Sequence, residues 1–407
     1  MTLSRREFLW GSLAVPAARA LVDPRWAWSL EGPPALDSRV LVVLQLSGGN
    51  DGLNFAPPLD DDLYRKARPR LGIAKNRCIP FHPMIGLHPE LAPLRAIADR
   101  GELAMVSSVG VPKPDRSHFK SMEVWHTAKL EGTEATGGRA SGWIGRTADA
   151  LGVREGAAPA IHVGSTEQPL SLIGEKVVIP SVVSAERAVA QAPLGGNAAA
   201  LAELASSPHS SADALAARLA DAARAAYSFS DRLQEAVKSF QPAVPYPQTG
   251  LGRKFRTIAQ ILEAGFPVRI FHLELDGFDT HANQEAAHNA LLSELAGALA
   301  AFHGDLTKRG HGEKVLTFAF SEFGRRVKEN ASGGTDHGAA GPVLLLGGTV
   351  RGGLHGQLPN LARLDDGDLV METDFRRVYA TVLARWLQLL PGPILEGEFA
   401  PLEKLIA

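Results

Sequence analysis

The chain has 407 residues, of which 45% are hydrophobic and 21% charged, and its formal net charge is −2. That length and apolar content suffice for one large or two ordinary domains with a substantial core. The mild acidity argues against nucleic acid as a partner, because binding a phosphate backbone relies on excess positive charge. The single cysteine, Cys78, excludes an intramolecular disulfide, so stability must come from the core and from any bound metal.

The first twenty residues predict a twin-arginine export signal, so we expect the protein to be periplasmic or otherwise exported. Arg5 and Arg6 precede a short apolar stretch, residues 8–18, and the segment closes on a small-residue cleavage site, Ala18-Arg19-Ala20. Cleavage after Ala20 removes three arginines and one glutamate, a net charge of +2, and leaves a mature chain at −4. The apolar stretch is shorter than the ~20 residues of a transmembrane helix. We therefore expect no stable membrane anchor, and the twin-arginine translocase as a partner during export.

Six continuous apolar runs, rich in β-branched residues and leucine, predict buried parallel strands. The runs are Val40–Leu46, Leu103–Val109, Ile161–Gly164, Val268–Leu275, Val315–Phe320 and Val343–Leu346. Helical patterns lie between several of them, at Glu90–Arg100 and His288–Arg309, and a final helix is predicted over Asp374–Leu389. Strands that alternate with helices predict an α/β fold with a mostly parallel central sheet and helices on both faces.

An Ala-rich segment at about residues 185–244 differs from this pattern and predicts a helical insertion, because its leucines and alanines recur on one helical face. A Pro-containing linker, Pro242 to Gly250, then leads back to the strand system. We find no short-period repeat, which disfavours solenoids and propellers. The chain from residue 21 to 407 is therefore expected to form a single domain that carries this insertion.

Polar clusters follow the predicted strands, where α/β sheets bind their ligands. They are Asn50 and Asp51, Asp276 to His281, Glu322 to Arg325, Asp336 with His337, and His355 in a glycine-rich loop. Aspartate and histidine at a strand exit can aim an oxygen and an imidazole into one crevice, as a zinc or similar divalent site requires. Two Asp/His groups together with Asp51 favour a bound cation, because desolvating so many such groups is costly without one.

A further cluster, Asp115-Arg116-Ser117-His118-Phe119, lies between a strand and a predicted helix. Backbone donors and the dipole at a helix start favour an anionic group there, so Ser117 could receive a phosphoryl group. Ser117 or Asp115 could instead simply cap the helix. Arg116 could clamp a phosphate or sulfate in a bidentate manner, or it could pair with an acidic residue at the surface.

Several motifs together resemble a family of twin-arginine-exported bacterial proteins of unknown function, whose fold is similar to that of the alkaline phosphatase and sulfatase superfamily. The resemblance runs from about Val40 to the C-terminus. The motifs are Gly48-Gly-Asn-Asp-Gly-Leu-Asn54, Arg116-Ser-His-Phe119, Gly277-Phe-Asp-Thr-His-Ala-Asn-Gln284, Ser321-Glu-Phe-Gly-Arg325, Gly334-Thr-Asp-His-Gly338 and Thr373-Asp-Phe-Arg376.

The superfamily resemblance implies two divalent metal ions, zinc or similar, with a nucleophile between them. One metal would be held by Asp51, Asp336 and His337, and the other by Asp279, His281 and His355. Ser117 would be the nucleophile. The close spacing of Asp279 and His281 is unusual for the superfamily, so Asp276 could replace Asp279 as the ligand.

Three other residues, Glu322, Asn50 and Arg116, are expected to support this site. Glu322 would orient a ligand histidine from behind, although it could also be a ligand or pair with Arg325 or Arg326. Asn50 would contact the bound substrate, as would Arg116. His118 stands where a superfamily phosphatase has a small residue, and no sulfatase-type Cys-x-Pro-x-Arg sequence is present.

These observations lead to an expected function and two alternatives. We expect an exported metal-dependent hydrolase that acts on phosphate or sulfate esters, small or polymeric, through Ser117. The first alternative is a non-catalytic metal-binding or assembly protein of the cell envelope with the same fold. The second is a metal-free protein in which the polar clusters form a hydrogen-bond network.

Overall fold

The computed structural model describes residues 39–131, 141–152, 158–164, 167–184, 235 and 237–407. The predicted signal segment and the insertion up to residue 234 lie outside these residues. No helix in the part of the chain that is described is long and apolar enough to cross a membrane.

The strands follow one another in this order: β1 (Val40–Leu46), β2 (Ile79–His82), β3 (Ile85–Leu87), β4 (Leu103–Gly110), β5 (Ala160–Val163), β6 (Ser181–Val182), β7 (Ile270–Leu275), β8 (Val315–Phe320), β9 (Gly341–Leu346), β10 (Gly353–His355), β11 (Leu364–Asp365), β12 (Asp368–Leu369) and β13 (Thr373–Asp374). The α-helices are α1 (Gly52–Phe55), α2 (Asp62–Ala67), α3 (Arg95–Asp99), α4 (His118–Thr127), α5 (Trp143–Leu151), α6 (Gly250–Glu263), α7 (Gln284–Lys308), α8 (Phe375–Thr381) and α9 (Pro391–Leu395). Short 3₁₀ helices cover Lys75–Arg77, Pro89–Leu94 and Leu170–Leu172, and a π-helical stretch, Val382–Leu387, continues α8.

The central sheet has the strand order β10-β4-β9-β8-β1-β7-β5-β6, with β13 also paired to β4. All its pairings are parallel except those that β9 makes with β4 and β8. The predicted mostly parallel α/β sheet is thus confirmed. The reversal of β9 has a physical cause, because residues 321–340 between β8 and β9 contain no helix to carry the chain back across the sheet.

Both faces of the sheet are buried, because successive side chains of a strand point to opposite sides. In β1, Val40, Val42 and Leu44 join one core cluster, whereas Leu41 and Val43 join the other. The first cluster also takes the apolar sides of α6 and α7, and the second those of α4, α5 and α8. Burial on both faces explains why the strand sequences are continuously apolar rather than alternating.

The predicted bounds agree with the structure for β1 and β8 and differ by up to two residues for the other four strands. The predicted helix over residues 90–100 divides into a 3₁₀ helix and α3, and Pro93 lies inside the 3₁₀ part. The linker after the Ala-rich segment is packed against α7, since Asp305 accepts hydrogen bonds from the Ala243 amide and the Tyr246 hydroxyl.

Candidate metal centre

The polar loops of the protein meet at one edge of the central sheet. The loops after β1, β4, β7 and β8 leave the carboxyl ends of parallel strands, which lie along the same edge. The loop after β8, residues 321–340, both begins and ends there, because β9 runs in the opposite direction. This topology brings together side chains that are more than 200 residues apart in the sequence.

Three side chains at this edge could hold a metal ion: His118, Asp279 and His337, whose ligand atoms all lie within 4.8 Å of one another. The Nε2 atom of His337 is 3.1 Å from Asp279 Oδ1, and that of His118 is 3.4 Å from Asp279 Oδ2. His281 lies beside them, with its Nε2 atom 3.0 Å from Asp279 Oδ1 and 2.9 Å from His337 Nε2. Three imidazoles therefore surround one carboxylate.

The other ring nitrogens of His118 and His337 are occupied by acceptors. The Nδ1 atom of His337 lies 2.8 Å from the carbonyl oxygen of Arg116, which can only accept, so Nδ1 carries the proton. The Nδ1 atom of His118 lies 2.9 Å from Oε1 of Glu322, a carboxylate that is 2% exposed. In the neutral rings, both Nε2 atoms thus present lone pairs toward Asp279, which is how proteins orient metal-ligating histidines.

The third imidazole is held in the same way. The Nδ1 atom of His281 is 3.2 Å from Oδ1 of Asp336, and Asn330 donates to the same carboxylate oxygen at 3.1 Å. Asp336 therefore contacts the Nδ1 side of His281, and not the Nε2 side that faces Asp279.

The residues of this cluster fit a divalent cation. The Nε2 atom of His118 is buried and has no hydrogen-bond partner, and the Nε2 atoms of His281 and His337 approach to 2.9 Å as lone pairs unless one ring is protonated. A cation between these atoms would satisfy all of them. Metal–ligand bonds of 2.0–2.1 Å in tetrahedral geometry separate neighbouring ligand atoms by about 3.3 Å, close to the distances found here. Imidazoles with one carboxylate are ligands that suit zinc and similar ions.

A buried arginine supports the central carboxylate. Arg325 is 2% exposed, and it donates to Asp279 Oδ1 at 2.8 Å and to the backbone oxygens of Gly49 and Thr335. Burial raises the pKa of Asp279, but the hydrogen bond from Arg325 and the charge of that guanidinium lower it to about 2. Asp279 is thus a carboxylate at neutral pH, ready to bind a cation.

The Glu322 and His118 pair also titrates away from ordinary values. Its hydrogen bond to Glu322 raises the pKa of His118. Burial raises the pKa of Glu322, but the hydrogen bonds from His118 and from the Gly48 amide lower it by more, so the pKa lies below its ordinary value. Glu322 is therefore charged and holds the proton on His118 Nδ1.

Close packing fixes the loops that carry these residues. Gly48 has φ +114°, and a Cβ atom there would lie 2.3 Å from the backbone nitrogen of Asp279, so only glycine fits. The ring of Phe323 packs against both imidazoles, with centroids 4.9 Å from His118 and 4.6 Å from His337. The backbone and the imidazole planes are thus set before any ligand binds.

Ser117 lies at the N-terminus of α4, directly before His118. Its hydroxyl makes no capping hydrogen bond to the helix, and its amide donates to Oδ1 of Asp115 at 2.8 Å. Of the two roles considered from the sequence, the structure does not show the hydroxyl as a helix cap. Arg116, expected at the substrate, has its guanidinium in ion pairs with Asp366 and Asp368.

The side chains of Asp51 and Asn50 are buried, and each is held by partners outside the cluster. Both carboxylate oxygens of Asp51 accept hydrogen bonds from Arg68, at 2.5 and 3.0 Å, and Gln284 donates to one of them. Burial raises the pKa of Asp51, but the Arg68 charge and hydrogen bonds lower it to about 2. The side-chain oxygen of Asn50 lies 2.9 Å from Nε2 of His288 on α7. Neither side chain joins the group that could hold a metal.

His355 and Asp276 also lie outside the cluster. His355 is paired with Val106 on β4, four residues before that strand ends, and its Nε2 atom is 2.6 Å from the Arg351 carbonyl oxygen. Four residues of strand correspond to about 13 Å, which keeps this imidazole from the carboxyl edge. The Asp276 carboxylate accepts from the amide of Gly277, so Asp279 is the aspartate of this loop that joins the imidazoles.

No ligand role was assigned to His118 from the sequence, although its position in the chain resembles that of the predicted ligands. Like the other candidates it follows a predicted strand, in a cluster with Asp115, Arg116 and Ser117. The partnership of Asp51 with Arg68 had no such signal, because Arg68 lies in a segment without strand or motif, 17 residues further along the chain.

A family model described as a protein of unknown function (DUF1501) matches residues 104–391. No curated protein matches the chain.

Several solved structures are similar to the chain at low identity. The PsFucS1 sulfatase from Pseudoalteromonas sp. is 12% identical with a TM-score of 0.43, over 96% of this chain and 76% of that one. The phosphonate monoester hydrolase SpPMH from Silicibacter pomeroyi is 9% identical with a TM-score of 0.36, over 78% and 70%. A protein in the alkaline phosphatase superfamily from Vibrio parahaemolyticus is 10% identical with a TM-score of 0.34, over 84% and 72%. At this level of similarity no activity passes from these structures to the chain.

Proposed function

This chain belongs to a family of proteins of unknown function (DUF1501), and from the geometry of its site we propose that it is a metal-dependent hydrolase of phosphate or sulfate esters. The observation that carries the proposal is the convergence of three imidazole Nε2 atoms on the Asp279 carboxylate, each ring being held by an acceptor at its Nδ1 atom. Such an arrangement, partly open to solvent at a sheet edge, suits catalysis better than a closed structural site.

His118, Asp279 and His337 would hold one divalent ion, with His281 beside them, and a fourth position would stay open for the substrate. When bound, the ion would act as a Lewis acid toward a phosphoryl or sulfuryl oxygen and offset developing negative charge. Glu322, Asp336 and the Arg116 carbonyl keep the three imidazoles in the tautomer that leaves Nε2 free. We propose one ion rather than the two expected from the resemblance. Asp51 is paired with Arg68, and His355 is paired with β4 four residues before the carboxyl end of that strand.

Ser117 would be the nucleophile. It directly precedes the ligand His118, and its hydroxyl is not used as a helix cap. Its oxygen would form a bond to phosphorus or sulfur as the bond to the alcohol oxygen breaks, and the serine proton would pass to the departing alcohol. Water would then attack the phosphorus or sulfur of that intermediate, return one proton to the serine oxygen and release phosphate or sulfate. The N-terminal amides of α4 would favour the anionic group at this position.

The test combines metal analysis with turnover. Full-length protein loaded with Zn²⁺, Mn²⁺ or Ca²⁺ is assayed on a phosphomonoester, a phosphodiester and a sulfate ester. Ser117→Ala should lose turnover by about 10³-fold or more and keep its metal. Asp279→Asn should lose both. Normal turnover by Ser117→Ala would refute the serine as nucleophile, and undiminished metal binding by Asp279→Asn would refute the site.

A non-catalytic metal-binding protein is the second candidate, and one observation favours it. Asp51, which the resemblance assigns to a metal, is ion-paired with the guanidinium of Arg68, so the positive charge beside this carboxylate comes from a side chain. A protein of this kind would bind one metal ion per chain and hydrolyse none of the three ester classes. That outcome in the same assay would select this candidate.

A further inference from the structure

Two arginines lie at the rim of the candidate metal centre and contact it through their backbones. The carbonyl oxygen of Arg116 accepts from Nδ1 of His337 at 2.8 Å. The amide of Arg326 donates to the carbonyl oxygen of Asp336 at 2.9 Å. The backbone of each arginine therefore contacts a proposed ligand or the residue next to one, whereas its guanidinium contacts a different part of the chain.

Both guanidinium groups converge on the tip of the β11–β12 hairpin. Arg116 Nη2 is 2.9 Å from Oδ2 of Asp366, and Arg326 Nη2 is 3.4 Å from the same oxygen. Arg326 Nη1 also donates to the Asp366 carbonyl at 2.5 Å. The hairpin fits closely, since a Cβ atom on Gly367 would lie 2.8 Å from Arg326 Nη1. One carboxylate oxygen is thus shared between two cations.

The two aspartates of the hairpin differ sharply in burial. The side chain of Asp368 is 1% exposed and accepts from Arg116 Nε at 2.8 Å, which fixes this guanidinium in place. The side chain of Asp366 is 74% exposed, and those of Arg116 and Arg326 are 36% and 31% exposed. Exposed ion pairs contribute little stability, so an external anion can replace Asp366 at small cost. A buried pair such as that of Asp368 is not displaced in this way.

We propose that Arg116 and Arg326 form an anion-binding subsite beside the metal centre, and that Asp366 occupies it in the absence of substrate. Two guanidinium groups around one oxygen suit a sulfate, phosphate or carboxylate group. This inference rests on the proposed function for its meaning: the ester that is hydrolysed carries a second anionic group next to the one that is cleaved. Asp366 then acts as an internal competitor that substrates without this second charge do not displace.

The test measures binding of inorganic sulfate to the metal-free full-length chain at low ionic strength by titration calorimetry. Asp366→Asn should bind sulfate about fivefold more tightly than the wild type, because the competing charge is gone. Asparagine tolerates the left-handed backbone of residue 366, at φ 49°, so this variant should fold. Asp365→Asn, an exposed change on the same hairpin, should leave the affinity unchanged. Adding Arg326→Gln to Asp366→Asn should remove the gain.

Equal or weaker sulfate binding by Asp366→Asn would overturn the inference, as would a gain that persists without Arg326. The proposed function is judged separately, from metal content and ester turnover. If Asp366→Asn gains sulfate affinity while the wild type binds no metal, the anion subsite is supported and the proposed hydrolase function is refuted. If metal binding and turnover are found without that gain, the hydrolase function is supported and the subsite is refuted.

Discussion

Replacing Asp51 by asparagine distinguishes a buried structural ion pair from a metal ligand. Asp51 is 1% exposed, and its carboxylate is held by both terminal nitrogens of Arg68. The variant leaves the Arg68 guanidinium buried with only neutral acceptors, such as the carbonyls of Val327 and Arg326. We therefore expect the fold to weaken and metal binding to persist.

The magnitude follows from two estimates. The pKa of Asp51 falls from 3.8 to about 2, which corresponds to about 2 kcal/mol of stabilisation of the charged form at neutral pH. Removing one partner of a buried ion pair typically costs about 3–5 kcal/mol. We expect the free energy of unfolding of Asp51→Asn to fall by about 3 kcal/mol, measured by urea denaturation followed by circular dichroism.

Asp279→Asn is the comparison variant for metal binding. It leaves the buried Arg325 guanidinium with only backbone acceptors, at Gly49, Phe278 and Thr335, so its stability should also fall, but by less than that of Asp51→Asn because Asp279 is itself 47% exposed. Metal affinity should fall by about 100-fold or more. If Asp51→Asn instead keeps its stability and loses its metal, Asp51 is a ligand and the reasoning from the structure is refuted.

Acid should unfold the protein through buried neutral histidines. Burial lowers the pKa values of His126 and His162 to about 4, against about 6.5 in the unfolded chain. The stability that these neutral imidazoles support is therefore complete above pH 6.5, and each should lose about 3 kcal/mol of it as the pH falls toward 4. A His162→Gln variant with an unaltered pH profile of unfolding would contradict this. Gly48→Ala should reduce metal affinity and stability together, because its Cβ atom would clash with the Asp279 backbone. An unchanged metal affinity and unfolding temperature, both measured by calorimetry, would show that the loop adapts. Tyr246→Phe should lower the free energy of unfolding by about 1–2 kcal/mol, because Asp305 loses a buried hydrogen bond, and limited proteolysis should then cut near residue 243 faster than in the wild type.

The sequence by itself determined the layers of the fold. Strands buried on both faces must be apolar at every position, so Val40–Leu46 and Val315–Phe320 are readable without a structure. The same local logic located the polar strand exits, and Asp279, His281 and His337 were found among them. Strand, turn and helix signals depend on neighbours in the chain, which is why they can be read from it.

Only the tertiary structure decided which of these side chains meet. Asp51 and Asp279 both follow a strand, yet the first is paired with Arg68 from a loop with no signal of its own, and the second lies among three imidazoles. His355 lies apart from the imidazole cluster because of its register on β4, whereas His118 joins the cluster because α4 begins at the edge of the sheet. Hydrogen bonds and ion pairs act over a few ångströms between residues hundreds of positions apart, so the residues that form the site are selected by folding and not by spacing.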